Sequence, residues 1–206
     1  MFQNREEAAR LLGEKLKEKY GQDAVVLGIP RGGVILAKVV ADMLNAPLDI
    51  VVVKKIGAPD NEELAVGAVG PDKTVYWEEK ICQQLGINKS AKLKVKSEKL
   101  QEQKEREKRL REGKNPIDLQ DKTVILVDDG VATGATVMAA ALFLKKQKVR
   151  EAILATPVIA KDTLAKMKKY FTEIIYLDAP RQFYAVGQFY QDFPQVEDEE
   201  VRRLLS

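Results

Sequence analysis

The chain has no histidine, one cysteine and one tryptophan among its 206 residues, and each scarcity removes a chemistry. Without histidine there is no Ser–His or Cys–His nucleophile and no triad of the usual kind. A lone Cys82 forms no intrachain disulfide, and the two shortages together exclude the usual zinc sites, so any metal is expected to be a hard cation held by oxygen. No run of about 18 apolar residues occurs and no basic-then-apolar leader follows Met1, so neither a membrane span nor a secretory signal is expected and the chain reads as cytoplasmic. Hydrophobic residues make up 45% and charged residues 32%, enough to bury one α/β core with an insertion.

Periodicity sets out that core. Residues 4–19 predict an amphipathic helix, with Asn4 and Glu7 in capping-box spacing, Ala8, Leu11, Leu12 and Leu16 on one face, and Gly21 beyond its end. Strands are expected at 24–29, 48–53, 123–127, 151–156 and 173–177, and helices at 33–44, 135–146 and 161–170. This alternation belongs to a parallel sheet flanked by helices. A short helix at 199–205, capped by Asp198, is expected at the end.

The most informative stretch runs from Thr123 to Thr136. Val124, Ile125, Leu126 and Val127 form a run suited to a strand covered on both faces. Asp128 and Asp129 follow at its carboxyl end, where open α/β sheets bind ligands; there they can accept hydrogen bonds from vicinal hydroxyls or hold magnesium through water. The loop Gly130, Val131, Ala132, Thr133, Gly134, Ala135, Thr136 brings small residues and two hydroxyls to the start of the next helix, a place for an anion. It lacks the lysine of a Walker loop and the spacing of a dinucleotide fold, which favours a monophosphate over a triphosphate.

A second anion cradle is expected at Pro30, Arg31, Gly32 and Gly33, after the first strand: the glycines permit close backbone approach and Arg31 adds a planar donor fork. A third candidate is the segment 54–68. Lys54 and Lys55 leave a strand towards the cleft and can neutralise negative charge, or they solvate a strand end. The rest, through Gly70, Pro71 and Asp72 to Trp77, reads as a loop and β-ribbon able to close over substrate, with Glu63 as the acid placed to meet an acceptor or a metal.

Residues 78–114 read as helical and highly charged. Between 89 and 114 the local balance is +6 against +3 for the whole chain, and Glu102–Arg106, Glu105–Arg109 and Glu107–Arg111 are spaced for pairing along an exposed helix. A nucleic-acid patch would need stacking aromatics that this stretch lacks, so nucleic acid is not an expected partner. Aromatics gather instead near the end, where Phe183, Tyr184, Phe189, Tyr190 and Phe193 fall within eleven residues. They form either a platform for a flat acceptor, for which Phe183 and Tyr184 are the candidates, or packing for the last segment.

Residues 124–136 resemble the signature of type I phosphoribosyltransferases. With the Pro-Arg-Gly-Gly loop, the Lys-Ile-Gly-Ala-Pro and Glu-Leu-Ala-Val-Gly-Ala segments and the Phe-Tyr-Ala-Val-Gly stretch, the resemblance extends from about 4 to 205. It implies a Rossmann-like parallel-sheet core, about 1–54 and 115–178, and a hood made of the insertion, about 55–114, with the C-terminal segment 179–206, all one domain. It implies 5-phosphoribosyl-1-diphosphate (PRPP) as substrate with Mg2+, a small-molecule acceptor and release of pyrophosphate. By the same resemblance Asp128 and Asp129 meet the ribose hydroxyls and reach the metal through water, and Gly130, Ala132, Thr133, Gly134, Ala135 and Thr136 hold the 5′-phosphate. Pro30, Arg31, Gly32 and Gly33 then meet the pyrophosphate, with Lys54 or Lys55 stabilising it as it leaves and Arg106 and Arg111 reaching it from the hood; the family is commonly homodimeric. The marks of hypoxanthine, adenine, orotate or uracil enzymes are absent, so only a nitrogenous, nucleobase-like acceptor is expected. The alternatives are a PRPP-sensing regulator that binds nucleic acid or a protein, and an enzyme acting on another phosphorylated sugar.

Overall fold

A computed structural model of the chain describes residues 1–59 and 61–205, with the Glu63 side chain outside that description. In order, the elements are α1 (Arg5–Lys17), β1 (Ala24–Gly28), α2 (Gly32–Leu44), β2 (Leu48–Ile50), β3 (Lys54–Ala58), β4 (Asn61–Val69), β5 (Val75–Trp77), α3 (Glu79–Gln84), α4 (Lys89–Arg111), β6 (Thr123–Val127), α5 (Ala135–Lys146), β7 (Glu151–Val158), α6 (Lys161–Met167), β8 (Glu173–Asp178) and α7 (Asp198–Leu204).

Five strands form the main sheet in the order β2-β1-β6-β7-β8, every pair parallel. All five residues of β1 and of β6 are buried, because successive side chains enter opposite layers. Val26, Ile125 and Ile153 join Leu12, Leu16, Leu36 and Val40 beneath α1 and α2, while Val25, Leu27, Val124, Leu126 and Leu154 join Val137, Ala140 and Leu144 beneath α5. Each such Leu or Ile contributes about 2 kcal/mol by leaving water.

Sheet order positions the site. From β1 the chain crosses through α2 to β2 on one side; from β6 it crosses through α5 to β7 on the other. The loops after β1 and β6 therefore start side by side and diverge, which opens a crevice at the carboxyl edge.

Helix α1 begins as expected, with Asn4 Oδ1 accepting from Glu7 N–H at 3.0 Å. Its buried stripe, however, is Arg5, Ala8, Ala9, Leu12 and Leu16, and Leu11 is exposed. At about 100° per residue Leu11 falls a quarter-turn off the line of Ala8, Leu12 and Leu16. Strand β2 is also shorter than expected, ending at Ile50. Val51, Val52 and Val53 stay buried, so the apolar run continues although strand pairing has stopped.

The chain then builds a second, antiparallel sheet, β3-β4-β5. Ile56, Val66, Val69 and Cys82 form its own small cluster with α3 and α4, while Ala65 and Ala68 pack into the main core. Burial pushes the Cys82 thiol up from its ordinary value. Helix α4 buries little beyond Gln103 and Leu110. At the end of the chain Val196 and Val201 pack against Val34, Ile50, Val52 and Leu110. Asp198 is not the cap of α7 but its first residue, following Glu197, and its carboxylate accepts from Arg106 at 3.3 Å.

Candidate functional site

The crevice begins with two strands in register, Gly28 beside Val127, and the Ile29 N–H donates to Val127 O at 3.0 Å. The β1 loop crosses a cis Pro30–Arg31 peptide into the two glycines that open α2. These glycines are required by proximity. A Cβ on Gly32 would stand 1.8 Å from Asp129 Oδ2, and one on Gly33 would stand 2.7 Å from Val127 O. The two loops are thus in van der Waals contact, with the carboxylates at their junction.

Asp128 Oδ1 accepts the Asp129 N–H at 3.0 Å. Asp129 Oδ2 accepts from Arg5 Nε at 2.9 Å, in a pair whose side chains are only 8% and 15% exposed. Arg5 Nη1 also donates to Pro194 O at 2.7 Å, and the guanidinium lies 3.7 Å from the centre of the Phe193 ring. Phe193 stacks on Tyr190 at 4.9 Å, whose hydroxyl donates to Asp129 O at 2.6 Å. Burial, and then the Asp129 charge, lift the Asp128 carboxyl well above the ordinary aspartate range. Burial also raises Asp129, but the Arg5 hydrogen bond and charge oppose it. The two carboxyls titrate as a pair, with Asp128 the more strongly raised and Arg5 favouring the ionised form of Asp129.

Beyond the acids, residues 130–136 line a cavity of about 140 Å³, faced from the ribbon by Lys55 and Ala65. Gly134 takes φ +81°, a conformation that favours glycine, and a Cβ there would also stand 2.8 Å from Thr163 Cγ2. Helix α5 starts at the next residue, which turns its first N–H groups towards the cavity. The Thr163 hydroxyl fixes the loop from outside by donating to Ala132 O at 2.5 Å. A loop of this shape can hold a tetrahedral anion, and Lys55, expected at the diphosphate, faces this cavity instead.

Lys54 and Lys55 separate, as neighbours on a strand must. Lys54 pairs with Glu102 at 2.9 Å, and Lys99 meets the same carboxylate at 2.8 Å; Lys99 and then Lys54 hold Glu102 below the usual range. Glu102 is therefore not the partner of Arg106, which goes to Asp198. Arg31 Nη1 lies 3.3 Å from Glu197 Oε2. Arg111 corrects its expected placement. Its Nη1 donates to Asp49 Oδ1 at 2.6 Å, its Nη2 to Ile50 O at 2.9 Å and its Nε to Glu107 at 3.1 Å. A buried carboxylate on β2 requires a cation, and Arg111 supplies it, bracing α4 against the sheet edge rather than reaching towards Arg31.

Among the aromatics, Phe183 packs on Phe189 at 4.9 Å and Tyr184 is 83% exposed. Besides Tyr190, Val186 meets the acidic loop from this segment, its Cγ1 lying 2.5 Å from where a Gly130 Cβ would stand. Glu63 sits on β4, and its side chain lies outside the described residues. The sequence reading missed Arg5, Tyr190 and Phe193 as parts of the site. Arg5 had a signal: it falls on the buried stripe of α1, where an arginine needs an acidic partner. Among the described residues no helix is long and apolar enough to cross a membrane.

Comparison with known proteins bears on this arrangement. The family described as phosphoribosyl transferase domain matches residues 2–193. Two Mycobacterium tuberculosis proteins, from strains CDC 1551 / Oshkosh and H37Rv, have names that propose a phosphoribosyl transferase; each is 38% identical over all 206 residues of this chain and 46% of its own length. The chain spans about half the length of the curated relatives it matches. TT1426 from Thermus thermophilus superposes with a TM-score of 0.83 at 35% identity, covering 99% of this chain and 97% of that one. The purine phosphoribosyltransferase from Pyrococcus horikoshii Ot3 gives 0.52 at 20% identity over 94% of this chain and 89% of its own, a likeness of fold.

Proposed function

The chain belongs to the phosphoribosyl transferase domain family, and from that premise we propose that it binds PRPP in the crevice between β1 and β6 and transfers the phosphoribosyl group to a nitrogenous acceptor, releasing pyrophosphate. The observation that carries this reading is the contact of two anion loops across a carboxylate pair, Gly32 against Asp129 and Gly33 against Val127. One elongated substrate with a phosphate at each end spans such a site.

In this reading the cavity at 130–136, with Lys55, holds the 5′-phosphate. Asp128 and Asp129 take the ribose hydroxyls, and residues 30–33 with Arg31 meet the diphosphate. Arg106, tied to Asp198 close to the Arg31–Glu197 pair, adds positive charge on that side. Displacement at the anomeric carbon needs no protein nucleophile, in keeping with a chain without histidine. Rate comes from positioning and from charge placed where the leaving group forms. Adjacent carboxylates and water suit magnesium, which commonly keeps its waters and takes one or two protein carboxylates beside substrate phosphates; a bound ion would neutralise the diphosphate. The acceptor would enter beside Val186 and residues 183–184, where the exposed Tyr184 ring is available for stacking.

The test is a calorimetric titration of PRPP with magnesium into the wild type and into Asp128→Asn/Asp129→Asn, with ribose 5-phosphate as control. Magnesium-dependent binding of PRPP, lost in the variant and weaker for ribose 5-phosphate, is the expected result. Equal binding by wild type and variant would remove the carboxylates from the site.

A further inference from the structure

We propose that Arg5 is a positioning residue for Asp129, holding that carboxylate in the orientation that receives the ribose hydroxyls without itself touching substrate. The inference rests on the reading of the crevice as a PRPP site and adds to it a residue from the first turn of the chain's first helix.

Three observations converge. Arg5 is enclosed, its side chain only 8% exposed, so it is covered from the crevice and acts through what it touches. It is fixed on three sides, by Asp129 Oδ2 at 2.9 Å, by Pro194 O at 2.7 Å and by the Phe193 ring at 3.7 Å. The same assembly holds the backbone of Asp129, because Phe193 stacks on Tyr190 and the Tyr190 hydroxyl donates to Asp129 O. Carboxylate and carbonyl of one residue are thus held by one cluster built from both ends of the chain.

The steric setting explains why orientation has to be imposed. Asp129 Oδ2 occupies the space that a side chain at position 32 would fill, and Arg5 Nε lies 3.0 Å from that same point. The guanidinium therefore draws one carboxylate oxygen towards the β1 loop. Asp128, the adjacent acid, repels it. Without the arginine, torsion about the Asp129 side chain would be free to carry the carboxylate out to water, away from Asp128 and from a ribose held between the two loops. A charge-assisted hydrogen bond between enclosed groups is strong enough to set that choice.

A double-mutant cycle tests this. PRPP with magnesium, and separately inorganic pyrophosphate, are titrated into wild type, Arg5→Met, Arg5→Lys, Asp129→Asn and Arg5→Met/Asp129→Asn, each verified as folded by thermal unfolding. Arg5→Met is expected to weaken PRPP binding about tenfold or more and to leave pyrophosphate within about twofold. Arg5→Lys, with charge but no fork to bridge two acceptors, is expected to recover part of the loss. The double variant is expected to bind PRPP no more weakly than Asp129→Asn, because Arg5 acts through that residue. A folded Arg5→Met with wild-type PRPP affinity would reduce Arg5 to a brace between α1 and residues 193–194 and overturn the proposal, as would losses that multiply in the double variant. Should Arg5→Met fail to fold, Arg5→Gln, of similar length and without charge, takes its place in the cycle and the same outcomes decide. A wild type that binds no PRPP would overturn the site reading itself, a result separate from either.

Discussion

Asp128 shows how the site works against the fold. Its carboxyl is lifted by burial and by the neighbouring Asp129 charge, so the folded value lies above the unfolded value of about 4. A group raised in this way favours the folded state while protonated, and that contribution is lost as pH rises from about 4 through the folded value. Above about pH 4 the buried Asp128 carboxyl is thus a net burden on the fold. Asp128→Asn is therefore expected to raise Tm by a few degrees at pH 7, with the gain fading towards pH 3, while PRPP binding falls. Thermal unfolding across this pH range without ligand measures it; an unchanged Tm at pH 7 would show that the carboxylate carries no burial penalty. Among single residues, legibility followed local constraint. Asp128, Gly32 and Gly134 announce themselves because turn geometry and strand-end position act over a few residues. The partnership of Arg5 with Asp129 spans 124 positions, and although the sequence places an arginine on a buried helical stripe, nothing local names its acid.

At the scale of elements, β6 and α5 lie where the pattern put them, at Thr123–Val127 and Ala135–Lys146. A strand buried on both faces and ended by two aspartates has no competing reading. Strand β2 was overextended because burial continues through Val53 after pairing ends at Ile50, and hydrophobicity reports the first without the second. Helix α4 was legible as a charged helix, yet its internal spacing suggested pairs that the fold redirects: Glu102 goes to Lys54 and Arg106 to Asp198. The Glu107–Arg111 pair forms as its spacing suggests, at 3.1 Å, but Arg111 also pairs with Asp49, a tertiary contact across 62 positions. Removing one partner of a buried pair leaves the other uncompensated, so Arg111→Ala is expected to cost about 3–5 kcal/mol of stability. Urea denaturation checks the cost, and PRPP titration at a temperature where the variant is folded should give wild-type affinity. A loss of PRPP affinity without loss of stability would return Arg111 to the diphosphate.

For the whole molecule, alternation of strands and helices was enough to expect a parallel sheet, but not to say that β1 and β6 are neighbours; that adjacency makes the crevice. Nor was the path of the C-terminal segment legible, since 179–197 has no period. It returns over the site, setting Val186 on Gly130, Tyr190 on Asp129 and Glu197 on Arg31. The contact of Glu197 with Arg31 bears on ligand binding. Glu197 Oε2 lies 3.3 Å from Arg31 Nη1 with side chains 61% and 34% exposed, so a diphosphate approaching Arg31 competes with a carboxylate already there. An exposed pair is weak and screened by salt, and the competition is correspondingly modest. Glu197→Gln is expected to tighten binding of inorganic pyrophosphate about two- to threefold at low salt, with the gain shrinking towards about 0.5 M salt as screening removes the competitor from both proteins. Calorimetry at the two salt concentrations reads it directly. Unchanged or weaker binding in Glu197→Gln at low salt would mean that Arg31 does not face the diphosphate, and the anion would then have to be held by the glycine amides of the β1 loop alone.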